Sequence, residues 1–394
     1  MGARGVDSSF PSAAYVHIPF CRRKCLYCDF VSYTGKEHLF SPYVQALRKE
    51  IQLTAEKFPD SVIATINFGG GTPNILPAEL LHSILDEIKN LFRLDASLEV
   101  TIEANPGLQS NMGNLYRLGF NRLSLGVQSL SNCELEHLGR MHTREEAVSA
   151  FKEARSAGFN NINIDLMYGI PSQTLDSWLE TLNTVLGLEP EHVALYSLSV
   201  EEGTPFWDML RAGSLQLPGS DLEADMYEVA VQKLEEYGFV HYEISNFAKP
   251  GFECRHNITY WKNEPYFGFG AGAVSCIEGK LLHKPYCEYV RATNVRGVED
   301  YIRRVWAGEN PVEIEECANL RTAMGETMFL GLRMLEGVSD EEFVSRFGVP
   351  VLEVFGPQVS LLMKRGLLEE SNGYFRLTRK GLLLANEVFA EFVG

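Results

Sequence analysis

The sequence contains no run of about 20 apolar residues, the length that a helix needs to cross a bilayer. Its first 13 residues also lack the apolar stretch of a secretory signal. Basic residues are scarce, since 35 Lys and Arg stand against 52 Asp and Glu, giving a net charge of -17. Nucleic acid and anionic membranes attract proteins with a positive field, which this chain lacks. We therefore expect a cytoplasmic protein with no integral membrane segment and no nucleic-acid partner.

The composition excludes a disordered or fibrous chain. Of the 394 residues, 45% are hydrophobic and only 22% are charged, as in globular α/β proteins. A chain of this length buries a large core and is expected to form more than one domain.

The eight cysteines do not suggest a disulfide framework. Three lie close together at positions 21, 25 and 28, a cluster typical of a metal centre in a reducing compartment. We expect the remaining five to be small core or surface residues without a role: Cys133, Cys254, Cys276, Cys287 and Cys317.

Alternating apolar runs and amphipathic segments predict a parallel α/β sheet. Strands are expected at residues 14–20, 62–68, 98–104, 122–128, 161–168 and 192–199. Crossover helices are expected between them, at residues 42–58, 77–92, 144–157 and 175–188. Six βα units are too few for a closed eight-stranded barrel, so we predict an incomplete (β/α)6 barrel with its chemistry at the carboxyl ends of the strands.

Three domains are predicted. Residues 1–214 form the incomplete barrel, and residues 215–309 form an accessory β-containing segment rich in Gly and aromatic residues. Residues 310–394 show helices followed by a short hairpin, which predicts a winged-helix-like module. Basic residues at 364–365 and 376–381 raise the alternative of a nucleic-acid binder, but nearby glutamates offset them.

The cysteine cluster has the spacing C-x3-C-x2-C and directly follows the first strand. Cys21, Cys25 and Cys28 can bind three irons of a 4Fe-4S cluster and leave the fourth iron open to a ligand. S-adenosylmethionine (SAM) offers an amino group and a carboxylate for that iron. The alternatives are a chance cluster or a zinc site, which needs a fourth ligand. His17 is the nearest candidate, although its strand position points it away from the cysteine loop.

Several motifs together identify a family. They are YVHIPFCRRKCLYCDF at 15–30, FGGGTP at 68–73, EANP at 103–106, LGVQS at 125–129, LGRMH at 138–142 and NIDLMYGIP at 163–171. This set resembles the radical SAM superfamily, in its oxygen-independent coproporphyrinogen III oxidase branch. The resemblance covers nearly the whole chain and implies a 4Fe-4S cluster, SAM and a partial barrel.

The same resemblance implies a set of SAM-binding residues. Glycines let backbone amides approach the methionyl group, acidic side chains accept hydrogen bonds from ribose hydroxyls, and an arginine faces the SAM carboxylate. The residues at the matching positions are Tyr15, Tyr27, Gly70, Gly71, Thr72, Glu103, Gln128, Arg140 and Asp165.

Two functions compete within this branch. The decarboxylating oxidases, which yield protoporphyrinogen IX, carry a further Cys where this chain has Phe30, and an N-terminal arm where it has only 14 residues before Tyr15. In both respects this chain resembles the shorter HemW group of haem chaperones. That resemblance implies haem as bound cargo and acceptor haemoproteins as partners, with respiratory haemoproteins as the suggested acceptors.

A second motif bears on haem. The sequence HNITYW at 256–261 resembles the HNxxYW signature of the haem chaperones. The resemblance makes His256 the candidate axial ligand, with Asn257 beside it and with Tyr260 and Trp261 against the porphyrin face. The structural alternative is that His256 and Asn257 only hold a loop, with Trp261 in the core.

Overall fold

The predicted strands form the centre of the sheet in a computed structural model that describes residues 10–108 and 112–393. The strands β1 to β6 pair in chain order, and all five pairings are parallel. The sheet does not close, so the predicted incomplete barrel is confirmed. The strands are β1 (Ala13–Ile18), β2 (Val62–Gly70), β3 (Arg93–Ala104), β4 (Arg122–Gln128), β5 (Ile162–Tyr168) and β6 (His192–Ser197).

The helices between these strands cover the outer face of the sheet. Outward strand residues such as Ile66, Ile102 and Ile164 are buried in the main core, whereas the residues that alternate with them are mostly polar and face inward. These helices are α1 (Phe40–Lys57), α2 (Ala78–Leu91), α3 (Met112–Leu118), α4 (Asn132–His137), α5 (Arg144–Ala157) and α6 (Leu175–Leu186). Two more, α7 (Pro205–Arg211) and α8 (Ser220–Glu236), follow β6.

The accessory segment continues the same sheet at both edges instead of forming a separate sheet. The strand β8 pairs antiparallel with β6, and β9 pairs parallel with β1, giving twelve strands in the order β12-β11-β10-β9-β1-β2-β3-β4-β5-β6-β8-β7. The added elements are β7 (Val240–Glu243), β8 (Asn246–Ala248), α9 (Arg255–Trp261), β9 (Tyr266–Phe269), β10 (Val274–Glu278), β11 (Tyr289–Asn294), α10 (Val298–Ala307) and β12 (Val312–Ala318). The exact domain boundaries stay predictions.

The C-terminal residues fold as the predicted winged-helix-like module. A small antiparallel sheet of β13, β15 and β14 packs with the helices around its own apolar core. The elements are α11 (Leu320–Gly331), β13 (Val338–Ser339), α12 (Asp340–Phe347), α13 (Val351–Lys364), β14 (Leu368–Ser371), β15 (Tyr374–Leu377), α14 (Arg379–Leu383) and α15 (Ala385–Ala390). None of the helices within the described ranges is long and apolar enough to span a membrane.

One expectation about the cysteines is wrong. Cys287 and Cys317 form a disulfide, with their Cα atoms 5.4 Å apart. The antiparallel pairing of β11 with β12 brings together two residues that lie 30 positions apart in the sequence. The other three scattered cysteines are free thiols, as expected.

Candidate functional site

The carboxyl ends of the central strands surround one cavity of about 430 Å³. This volume is within the range of small-molecule and cofactor sites. The walls include all three clustered cysteines and every predicted SAM residue except Tyr15. The six parallel strands thus bring together on one rim residues that lie as far apart in the sequence as Cys21 and Asp165.

The cysteine loop follows β1 and is held against the rest of the rim. The backbone N–H of Leu26 donates to the carbonyl of Leu138 at 3.1 Å. The Sγ of Cys21 lies 3.4 Å from the Thr72 hydroxyl, and Arg140 Nη1 donates to the Sγ of Cys25 at 3.5 Å. Burial raises the pKa of the Cys21 thiol, which iron ligation would offset because the ligand is a thiolate. The loop therefore presents thiols beside one cation.

The glycine-rich turn after β2 packs directly on this loop. The N–H of Gly71 donates to the Ile18 carbonyl at 2.9 Å, and the N–H of Thr72 donates to the Phe20 carbonyl at 2.8 Å. A Cβ on Gly71 would lie 2.6 Å from the Phe20 oxygen, so only glycine fits this close approach. Gly70 has a positive φ of 105°, which also favours glycine. The turn is thereby fixed next to the cysteines.

Two carboxyl groups line the cavity from β3 and β5, the strands on either side of β4. Glu103 accepts a hydrogen bond from Asn67 at 3.3 Å, and Asp165 accepts one from Ser124 at 3.1 Å and one from Asn163 at 2.7 Å. Burial, with the charge of Asp165 as a second cause, raises the pKa of Glu103 to about 7. Burial likewise raises the pKa of Asp165. Such a pair can accept hydrogen bonds from the hydroxyl groups of a ligand.

Arg140 connects the cysteine loop to the polar wall. Its Nη2 donates to Asn105 Oδ1 at 2.6 Å and also to the Gly126 carbonyl. Gln128, at the end of β4, adopts a left-handed φ of 68° and lines the cavity together with Tyr27. A buried guanidinium with a side facing the cavity can bind a ligand carboxylate.

Two residues of β1 do not reach the cavity wall. The Tyr15 hydroxyl is 3.0 Å from His17 Nδ1, and the Tyr15 ring packs beside Gly69. The other ring nitrogen of His17 lies 2.8 Å from the Val31 carbonyl. With both of its nitrogens engaged, His17 does not supply the fourth ligand that a zinc site would need.

The HNxxYW segment forms α9 at the opposite end of the strands, where it closes the floor of the cavity. His256 is 1% exposed. Its Nδ1 lies 2.8 Å from the Thr65 hydroxyl, and its Nε2 lies 2.8 Å from the Tyr260 hydroxyl. Burial lowers the pKa of His256 to about 3, so the imidazole is neutral. In this conformation neither nitrogen is available to a haem iron.

The other residues of this motif have different surroundings. Asn257 lines the cavity from below. The guanidinium of Arg333 stacks 4.3 Å from the ring centre of Trp261, and within the described part of the chain no acceptor pairs with the buried indole N–H. The predicted set is therefore brought together around one short helix, but only Asn257 faces the ligand space.

Several cavity residues do not belong to any motif singled out in the sequence. Tyr196, at the end of β6, is 42% exposed because its side chain projects into the open space of the cavity. Arg122 and His192 line it from the starts of β4 and β6, and Asn246 lines it from β8. The alternation of polar and apolar residues along the strands is the signal that could have identified Arg122 and Tyr196.

An open parallel sheet with three cysteines on one rim, a glycine turn packed on them and two carboxyl groups lining the cavity is the arrangement of a radical SAM protein. Comparisons with known proteins agree with this class. The Radical SAM superfamily pattern matches residues 15–185, and the HemN C-terminal domain matches residues 319–384.

Full-length relatives place the chain more finely. The "Heme chaperone HemW" of Bacillus subtilis is 40% identical over 97% of this chain and 99% of its own length. The "Heme chaperone HemW" of Escherichia coli is 33% identical over 97% and 98%. The solved structure of the coproporphyrinogen III oxidase HemN from Escherichia coli superposes with a TM-score of 0.83, covers 98% of this chain and 91% of its own, and shares 22% identity, which shows the same fold. The chain therefore belongs to the radical SAM superfamily and, within it, to the HemW family.

Proposed function

We propose that the protein is a haem chaperone that carries a 4Fe-4S cluster and SAM, binds haem as cargo and passes it to acceptor haemoproteins. The observation that carries this proposal is the near full-length similarity to two proteins named haem chaperones. Superfamily membership itself implies the cluster and SAM.

In this proposal Cys21, Cys25 and Cys28 hold the cluster. Once bound, the cluster and SAM supply one-electron chemistry at an open iron. The residues around them bind and orient SAM. Arg140 would face its carboxylate, and Glu103 and Asp165 would accept hydrogen bonds from its ribose.

The residue at position 30 supports a chaperone rather than an oxidase. Phe30 lies at the cavity wall beside the cysteine loop and is 63% exposed. The Lys24 ammonium donates to its carbonyl at 3.2 Å, which holds the loop there. An aromatic ring cannot supply the thiol that the decarboxylating oxidases have after their third cluster ligand.

For haem, His256 remains the candidate axial ligand, but only in a second conformation. Its Nε2 must first lose the Tyr260 hydroxyl, and α9 must move away from Thr65. The closed form described above would then be the state without haem. Haem binding would be coupled to opening the floor of the cavity.

Anaerobic incubation of the cluster-loaded protein with SAM, a low-potential reductant and coproporphyrinogen III tests this function against the oxidase. A chaperone leaves the tetrapyrrole intact and, in a parallel titration, shifts the Soret band of haemin. Formation of protoporphyrinogen IX would identify an oxidase. A haemin titration without a Soret shift would also overturn the proposal.

A further inference from the structure

The cavity floor contains a buried cation that the proposed cluster and SAM do not use. Arg122 is 2% exposed and is the only Lys or Arg among the fully buried polar residues of the described ranges. Its Nη1 donates to Asn161 Oδ1 at 2.6 Å and to the Phe252 carbonyl at 3.1 Å, and both acceptors are neutral. Buried charges are normally paired, but neither acceptor of this guanidinium carries a negative charge.

Two carboxyl groups on the strands next to β4 make their hydrogen bonds to other residues. Glu99 accepts hydrogen bonds from the backbone N–H groups of Arg255 and His256, at 3.3 and 3.1 Å. Asp165 is held by Ser124 and Asn163. Across residues 10–108 and 112–393, no carboxylate lies within 4 Å of the Arg122 guanidinium in an ion pair. Asp165 acts on Arg122 only at longer range, so the guanidinium has no directly bound counter-ion from the described chain.

Other polar groups without a partner lie at the same cavity wall. Thr101 is paired with Arg122 across β3 and β4, and its buried hydroxyl has no hydrogen-bond partner among the described residues. Asn257 adds an amide from α9 below. A guanidinium, a hydroxyl and an amide are the groups that hydrogen-bond a carboxylate.

SAM does not account for this set of donors. SAM has one carboxylate, and Arg140, beside Cys25, is the residue assigned to it. Arg122 would still face the cavity with unused N–H groups after SAM has bound, because only its Nη1 has acceptors within the described chain. These N–H groups are suited to a second anionic group.

We propose that the cavity floor is a carboxylate-binding subsite in which Arg122 supplies the charge and Thr101 supplies a hydrogen bond. Asn257 supplies a second hydrogen bond while α9 is in the closed position. The inference rests on the proposed function for its preferred ligand, the propionate side chain of a tetrapyrrole. A free small dicarboxylic acid has the same chemistry and is the other source of a carboxylate.

The alternative role of Arg122 is mechanical, since its two hydrogen bonds join β4 to the segments before β5 and α9. Asn161→Ala provides the matched control, because it removes one of these bonds and leaves the cation in place. Arg122→Lys keeps the positive charge and is a second control. Arg122→Met, which also removes the charge, replaces Arg122→Gln if the latter variant does not fold.

The experiment compares haemin with haemin dimethyl ester, in which both propionates are blocked, by titration of the cluster-loaded protein. The wild type is expected to bind haemin about tenfold or more tightly than the ester, as a charge-assisted hydrogen bond predicts. Arg122→Gln should lose this preference while keeping its affinity for the ester, whereas Asn161→Ala and Arg122→Lys should retain it. Equal preference for haemin in wild type and Arg122→Gln would exclude propionate as the ligand.

Calorimetry with succinate completes the test. Succinate binding that depends on Arg122, without a haemin preference, would support the subsite with a small acid as its ligand. If wild type and Arg122→Gln behave alike with both haemin and succinate, the subsite does not exist. If the wild type binds no haemin at all, the proposed function fails, and the succinate titration alone decides the inference.

Discussion

The charge state of Glu103 makes the stability of the protein depend on pH. Burial and Asp165 raise its pKa from 4.5 to about 7 in the folded protein. Between these two values the unfolded chain loses the proton while the folded chain keeps it. The free energy of unfolding therefore falls as the pH rises from 4.5 through about 7. At 1.36 kcal/mol per pH unit the full effect is about 3 kcal/mol, and we expect about 2 kcal/mol because water in the cavity screens the carboxyl group.

Glu103→Gln removes this titration while keeping the shape of the side chain. Urea unfolding at pH 5 and pH 8, without added SAM, should show the wild type losing about 2 kcal/mol more than the variant over this range. Glu136→Gln, a change of an exposed glutamate on α4, should follow the wild type. Parallel pH dependences for wild type and Glu103→Gln would refute the reasoning, since Glu103 would then ionise equally in both states.

Three further outcomes are expected. Cys25→Ala should abolish the cluster absorbance near 400 nm after reconstitution. Cys254→Ala should keep this absorbance, because the Cys254 thiol lies at the cavity floor and not in the cysteine loop. Reduction of the Cys287–Cys317 disulfide should lower the free energy of unfolding by about 3 kcal/mol, as expected for a loop of this length, and Cys287→Ser should make the protein insensitive to reductant. Tyr260→Phe should raise haemin affinity if the imidazole it contacts is the axial ligand, because the competing hydrogen bond is gone. The first prediction is contradicted if the cluster absorbance survives Cys25→Ala. The second is contradicted if reduction leaves the unfolding curve unchanged, and the third if Tyr260→Phe leaves the haemin affinity unchanged.

The central strands could be predicted because each one is a short run of apolar residues that stands between two amphipathic segments. The open barrel also followed from the number of βα units. The placement of β7 to β12 could not be predicted, because which edge of a sheet an added strand joins depends on contacts far apart in the sequence. The disulfide escaped prediction for the same reason, since only the pairing of β11 with β12 brings Cys287 and Cys317 together.

At the site, the clustered cysteines and the predicted SAM residues at the strand ends line one cavity, and their roles stay predictions. The hydrogen-bond partners of His256 could not be predicted from the sequence, because Thr65, which bonds to its Nδ1, is 191 residues away. His256 is buried and fully hydrogen-bonded, as in the structural alternative raised for this motif, and Asn257 is the motif residue that lines the cavity. Arg122 was overlooked although the polar–apolar alternation of β4 places it on the inner face, because a charged residue at the start of a strand does not show how deeply it is buried.

The measurement that tests the central claim most directly is haem transfer. The cluster-loaded protein is charged with haemin, separated from free haemin by gel filtration and mixed with the apo form of a b-type cytochrome domain. If the protein is a haem chaperone, the absorption spectrum of the haem-loaded acceptor should appear, and the mass of the haem should be unchanged. The haem content of the carrier should fall by the amount that the acceptor gains. If haemin does not stay with the protein through gel filtration, or stays and is never released to the acceptor, the claim that it is a haem chaperone is contradicted.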